Sequence, residues 1–292
     1  MRPVLLLGVV ARVVAAACPE NQVPWPSAPS CQDFGGAHKE AVAFLRSNAP
    51  PVDILNEISL FGQPGAGDNA GIASLGANLS LTAKMDLPWA VAVPQDVFND
   101  YVLPYASVNE ARTNWRQLLF SALMPLVCLP NSTTVNASLT IDDVAALVNG
   151  YAVPEQSVWT LFGRKVVFKS SQTPLIFDPM SVLAFGFASC TGVSILLVDA
   201  LRALGVPARV AGTPAWNGLA ANGNHNWVEI WRGPSVGWSF YEALPAGGGE
   251  TLDNPCDKPV FTDDVLQFPD SLCSDDQTFI SSWIYFHSTT VF

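Results

Sequence analysis

Ser189-Cys190-Thr191-Gly192-Val193-Ser194 opens the stretch around which the chain is organised. A glycine-containing apolar run, Leu183 to Ala188, ends here and a helical pattern begins. Apolar residues recur at Val193, Leu196, Leu197, Ala200, Leu201 and Leu204, one face of a helical period. Gly205 stands where a C-terminal cap belongs and Pro207 follows, so the helix is expected to stop there. Ser189 is the expected N-cap, which puts Cys190 in the first turn. Unpaired backbone N–H groups and the positive end of the helix dipole favour a thiolate at that place. The thiolate, not the thiol, is the nucleophile.

A thiolate nucleophile needs a base and a group that orients the base. After Pro207, Ala208 to Gly212 reads as a strand, followed by a loop from Thr213 to Asn224 that holds Trp216. His225 to Trp231 then alternates, with His225, Trp227, Glu229 and Trp231 on one face and Asn226, Val228 and Ile230 on the other. Arg232-Gly233-Pro234-Ser235 is a turn, and Val236 to Glu242 alternates again. A hairpin closed by that turn pairs Trp231 with Val236 and, counting back, His225 with Glu242. Opposed residues have Cβ atoms about 5 Å apart, within side-chain reach. Cys190, His225 and Glu242 thus fill the roles of nucleophile, base and orienting acid. The backbone N–H of Cys190 is the natural first oxyanion donor, and Gln172 in the preceding turn is a candidate second one.

Each residue also has a plain structural explanation. A buried cysteine, a histidine beside tryptophans and a glutamate at a strand end commonly do no chemistry. Trp216, Trp227, Trp238 and Phe240 are candidates for an apolar substrate groove, with ordinary core packing the expectation for at least two of them. His287, in the terminal segment Trp283 to Phe292, is the competing base. His38 is expected to be a solvated residue on a helix.

The six cysteines are Cys18, Cys31, Cys128, Cys190, Cys256 and Cys273. Cys18 with Cys31, and Cys256 with Cys273, would each close a short polar loop, which makes these four the disulfide candidates. Cys128 lies in an apolar run and is expected to be a buried thiol. A Cys128–Cys190 disulfide is the alternative, and it would abolish the chemistry.

Val4 to Ala17 is apolar except for Arg12, too short for a membrane span, and ends in Ala15-Ala16-Ala17. It is expected to be a signal peptide, residues 1–17, cleaved before Cys18. The alternative is a lipoprotein signal with Cys18 as the lipidated residue. A secreted or secretory-pathway protein is the corresponding expectation. Removing residues 1–17 takes Arg2 and Arg12 away and moves the net charge from -11 to -13. So acidic a chain, without basic clusters, disfavours nucleic acid as a partner. The sequons at Asn78, Asn131 and Asn136 are candidate glycosylation sites. The acidic stretch Asp253 to Asp276 lacks calcium-loop spacing and no paired Cys or His spacing suggests zinc, so neither metal nor cofactor is expected.

Residues 18–150 are expected to form a mainly helical region and 151–292 the catalytic domain. Residues 18 to about 35 read as an extended arm. Helices are expected from Ala37 to the Pro50-Pro51 pair, over Val52–Phe61, within Asp68–Met85, over Pro94–Tyr101 with Pro94 at its first position, and over Thr140–Val148. Ser107-Val108-Asn109-Glu110 has capping-box spacing and predicts a further helix start. Lys165 to Lys169 is a strand candidate.

The segment 186–243 resembles the transglutaminase-like superfamily. The resemblance lies in Ser189-Cys190-Thr191-Gly192-Val193-Ser194, Ala203-Leu204-Gly205-Val206-Pro207-Ala208-Arg209, Gly223-Asn224-His225-Asn226-Trp227-Val228-Glu229-Ile230-Trp231 and Trp238. Tyr101 to Tyr105, Glu110 and Trp115-Arg116 are similar to a segment that often precedes such domains. The resemblance implies an α+β, papain-like core, with a catalytic helix packed on an antiparallel sheet, and acyl transfer or hydrolysis on protein or peptide amide bonds. It also admits catalytically inactive binding modules. Cys190 and His225 match the motif directly, whereas the family usually has aspartate where this chain has Glu242. Glu250 or Asp253 would replace Glu242 if the hairpin register differed.

Overall fold

The computed structural model describes residues 22–24, 31–63, 71–171, 177–213, 224–246 and 279–281. A short antiparallel pair, β1 (Gln22–Pro24) and β2 (Cys31–Asp33), leads into α1 (Gly36–Ser47). A 3-10 turn over Pro51–Asn56 continues as α2 (Glu57–Phe61). Four helices follow: α3 (Ile72–Asp86), α4 (Pro88–Val91), α5 (Gln95–Tyr101) and α6 (Trp115–Leu123). After α7 (Ile141–Asn149) come β3 (Val167–Phe168), α8 (Pro179–Phe185), β4 (Phe187–Ala188) and α9 (Cys190–Ala203). The chain then forms β5 (Ala208–Thr213), β6 (His225–Trp231), β7 (Trp238–Tyr241) and β8 (Phe279–Ser281). The last four make an antiparallel sheet in the order β7-β6-β5-β8, and β3 pairs with β4 in parallel. The architecture is α+β.

The helix α9 lies across the sheet, in contact with β5 and β6 on one side and α6 on the other. It is buried all round from Gly192 to Ala203, so the apolar stripe is only part of its buried surface. Its end is a Schellman motif. Gly205 N–H donates to the Arg202 carbonyl and Val206 N–H to that of Leu201, while Gly205 takes φ +73°. Ala208, Val210, Val228 and Ile230 turn toward α9 and join a core running from Leu79 in α3 to Ala243 beyond β7. The opposite sheet face carries the Arg209–Glu229 ion pair (2.7 Å), with the guanidinium over the Trp238 ring. Tyr101 of α5 packs edge-on to Trp238. The helices before residue 150 therefore cover both sides of the sheet.

Several expectations are corrected. His38 is buried, not solvated, and its Nε2 meets the Ser74 carbonyl at 3.0 Å. Asn78 is fully buried inside α3, where no glycan fits, so that sequon is not a glycosylation site. Asn131 is exposed and Asn136 half-buried in the loop before α7. Pro94 is the N-cap of α5, not its first residue. The Ser107–Glu110 spacing does not start a helix. The Glu110 carboxylate accepts from the N–H groups of Ser107 and Val108, as in a capping box, but the chain stays irregular until Trp115. Buried Arg116 explains why this stretch holds: it donates to the carbonyls of Val102 and Pro104 and to that of Arg202 in α9. A capping box does operate at α7, between Thr140 and Asp143.

The hairpin register also differs from expectation. The turn is six residues, Arg232–Gly237, and β6 pairs with β7 as Trp231 with Trp238 and Val228 with Tyr241. Gly233 and Gly237 take φ of +105° and +76°, which lets the longer turn close. A shift of two leaves every side chain on its predicted face, because the strand period is two. Among the described residues, no helix is long and apolar enough to cross a membrane.

Candidate active site

Cys190 is the first residue of α9, with Ser189 at the N-cap position in extended conformation. The Ser189 side chain makes no capping bond, so the helix N-terminus is left to other acceptors. The Cys190 sulfur is one: backbone N–H groups of Thr191 and Asn226 donate to it. Strand β6 is fastened to this end of the helix. Thr191 Oγ1 bonds Asn226 Oδ1 at 2.6 Å, and Ser194 Oγ donates to the Asn226 carbonyl at 3.2 Å. His225, the first residue of β6, is thereby carried to the sulfur and hydrogen-bonded to it.

The other side of the imidazole meets Glu242. His225 Nε2 lies 2.9 Å from Glu242 Oε2, which leaves Nδ1 facing the thiol. Glu242 Oε1 accepts from the N–H of Ala243 at 3.2 Å. Cys190 and Glu242 are buried, and the His225 side chain keeps 12% of its surface exposed. Burial pushes the thiol pKa up, but the hydrogen bond and charge of His225 and the two backbone N–H groups outweigh it, and the net shift is downward. Burial likewise pulls the His225 pKa down. The bonds to Cys190 and Glu242 and their charges reverse this and push it up to about 9. Both directions favour a thiolate beside an imidazolium. Residues 150–243 match the transglutaminase-like superfamily.

The matched segment begins at the end of α7 and closes one residue past Glu242. No curated protein matches by sequence. Among solved structures, LapG of Legionella pneumophila is similar at 11% identity, covering 58% of this chain and 72% of that one with a TM-score of 0.31. Its calcium-bound form gives 15% identity, coverage of 46% and 66%, and a TM-score of 0.28. The EGTA-treated form gives 12% identity, coverage of 58% and 70%, and 0.30.

The predicted residues fall into three groups. Cys190, His225 and Glu242 come together. Trp227 does not line a groove: it is buried, 6.1 Å from the Phe240 ring, with its indole N–H toward Glu229. Gln172, Trp216, Glu250, Asp253, His287, Cys18, Cys256 and Cys273 lie outside the described residues, as does the side chain of Cys31. Cys128 and Cys190 are both free thiols, which removes the alternative of a disulfide between them. Cys128 is half-buried in a bridge to Val135, less enclosed than expected.

Missed from sequence were the residues that hold the site in place. Thr191 and Asn226 sit next to Cys190 and His225, so adjacency was their only signal. Asn149 and Tyr151 lie far from Glu242 in sequence. An Asn-Gly pair at a helix end marks a cap, and nothing in it names the strand end it touches.

Proposed function

We propose that this chain is a cysteine-nucleophile enzyme acting on amide carbonyls of a protein or peptide. The observation that carries the reading is the Cys190 sulfur at a helix N-terminus, bonded to an imidazole whose Nε2 is held by Glu242 at 2.9 Å. In this reading the Cys190 thiolate attacks the carbonyl carbon, and the new oxyanion meets the Cys190 backbone N–H. The His225 imidazolium gives its proton to the leaving amine as the C–N bond breaks, and a thioester remains. Water or a second amine then attacks the thioester, His225 takes its proton, and the thiolate leaves. Glu242 keeps the ring oriented and favours its charged form throughout. The apolar stretch Val4 to Ala17 supports a secreted setting for this chemistry.

The test is the pH dependence of Cys190 alkylation in the non-reduced protein, followed by mass spectrometry, with His225→Ala alongside. The expected apparent pKa is well below the roughly 8.5 of a free cysteine and returns toward it in the variant. A profile centred at or above that value, unmoved by His225→Ala, overturns the reading. Capture of a fluorescent primary amine by a protein substrate, dependent on Cys190, separates transfer from hydrolysis.

A further inference from the structure

Glu242 is not in a strand. It follows the last residue of β7, where no ladder bond fixes the chain, and its side chain nevertheless meets His225 at hydrogen-bond distance. What fixes this bend is the end of α7. Asn149, the last residue of that helix and fully buried, donates from Nδ2 to the Glu242 carbonyl at 2.8 Å. Its Oδ1 accepts from the Leu244 N–H at 2.9 Å, so one side chain spans the bend from both sides. The same Oδ1 accepts from the Trp159 indole N–H at 3.0 Å, which fixes the orientation of the amide. Tyr151, two residues on, donates its hydroxyl to the same Glu242 carbonyl at 2.9 Å. The platform is itself rigid: α7 begins in a capping box and ends at Gly150 in left-handed conformation.

We infer that Asn149, seconded by Tyr151, is a positioning residue that sets the Glu242 carboxylate against His225. This rests on the reading of Cys190, His225 and Glu242 given above. A backbone carbonyl with two side-chain donors, next to an N–H held by the same asparagine, cannot rotate without breaking three bonds. Rotation there would swing Glu242 Oε2 away from the imidazole. A glutamate side chain has three torsions to hold, which makes such anchoring more necessary, since each torsion loosens the carboxylate.

The test is a cycle read by Cys190 alkylation at pH 6, with the thermal midpoint of each protein recorded. Glu242→Ala is expected to slow alkylation by up to about tenfold for each unit by which it raises the apparent thiol pKa. Asn149→Ala is expected to slow it by about five- to tenfold in the wild-type background and by less than about twofold in the Glu242→Ala background, because positioning acts only through that carboxylate. Tyr151→Phe removes one donor from a half-exposed ring and is expected to give about two- to threefold, again only where Glu242 is present. A purely structural asparagine would lower the midpoint and leave the alkylation rate of the folded protein alone, which overturns the inference. Equal slowing in both backgrounds overturns it as well. If Asn149→Ala does not fold, Tyr151→Phe in the two backgrounds decides in the same way. If Glu242→Ala itself leaves the rate unchanged, it is the role of Glu242 that falls, and the two failures are told apart.

Discussion

His225 and Glu242 are two residues out of register across their hairpin, yet Nε2 and Oε2 stand 2.9 Å apart. Continuing the observed pairing past Tyr241 would put Trp227 opposite Glu242. The carboxylate reaches His225 diagonally, along one face of the sheet, where such neighbours are still in reach of long side chains. With Cys190 on the other side of the ring, the proposed ion pair places the thiol's proton on the imidazole.

That shared proton predicts an unusual stability profile. His225 has its folded pKa raised to about 9, so its contribution is full below the unfolded value of about 6.5 and is lost as pH rises through about 9. Cys190 has its folded pKa lowered, so its contribution is full above the unfolded value of about 8.5 and is lost as pH falls through the folded one. Between about 6.5 and 8.5 the unfolded pair holds one proton, and so does the folded pair above its Cys190 pKa, so there the two slopes cancel. The unfolding free energy of wild type minus that of Cys190→Ala/His225→Ala/Glu242→Gln should be flat across this window and should decline on both sides. A steady slope through neutral pH would mean that the pair does not exist as thiolate and imidazolium.

The two free thiols are predicted to behave oppositely. Burial pushes the Cys128 pKa up, while His225 and the backbone hold that of Cys190 down. At pH 6 a small alkylating reagent should modify Cys190 at least about tenfold faster than Cys128, although Cys190 is the more enclosed. In His225→Ala the preference should vanish. Peptide mapping after timed quenching measures both rates in one sample, and equal rates in the wild-type protein would sink the assignment.

Gly205 gives a prediction about the helix that carries Cys190. It closes α9 at φ +73°, and a Cβ there would meet the Ala90 Cβ at 2.7 Å and that of Ala83 at 3.3 Å. Gly205→Ala thus combines left-handed strain with overpacking between buried backbones and should cost about 1–3 kcal/mol. Urea unfolding reads this directly, and a loss below about 0.5 kcal/mol would show that α3 and α4 can move aside.

Local signals made the frame of this site legible, and long-range ones did not. Gly205-Val206-Pro207 marks the end of α9 by cap chemistry, which acts over a few residues, while Ser189 stands at the N-cap position without making the capping bond. Alternation in β6 and β7 gives the faces, and the faces survive a register error of two. The register itself depends on Gly233 and Gly237 both taking positive φ, a choice that closure of the hairpin makes and local sequence does not. The buried state of His38 and Asn78 follows from helices packing round α3, and the polar identity of those residues points the other way. The same limit hid Asn149, whose partners Glu242 and Leu244 are brought to it only when α7 docks beside β7.

The last prediction concerns Asp199, in the middle of α9. It is fully buried, its Oδ1 is 3.5 Å from the Ser107 hydroxyl, and its Oδ2 has no hydrogen-bond partner among the described residues. Burial, and then the nearby Glu110 charge, push its pKa well above the ordinary carboxylate range, against the pull of Arg202 and Arg116. Neither guanidinium is bonded to it. Both spend their donors on backbone carbonyls, Arg202 on those of Ala208 and Ala106 and Arg116 on that of Arg202. Burial and Glu110 thus favour the protonated form of Asp199 in the folded protein. A carboxyl with a raised folded pKa contributes stability that is full below its unfolded value of about 3.9 and is lost as pH rises through the folded one. Asp199→Asn keeps the shape and removes that loss, so the variant should gain on the wild type as pH rises from 4 to 7 and exceed it by at least about 1 kcal/mol at neutral pH. Thermal or urea unfolding at the two pH values measures the difference. A variant that is less stable than wild type at pH 7 would mean that Asp199 is ionised and that its charge holds Arg116 and Arg202 behind α9.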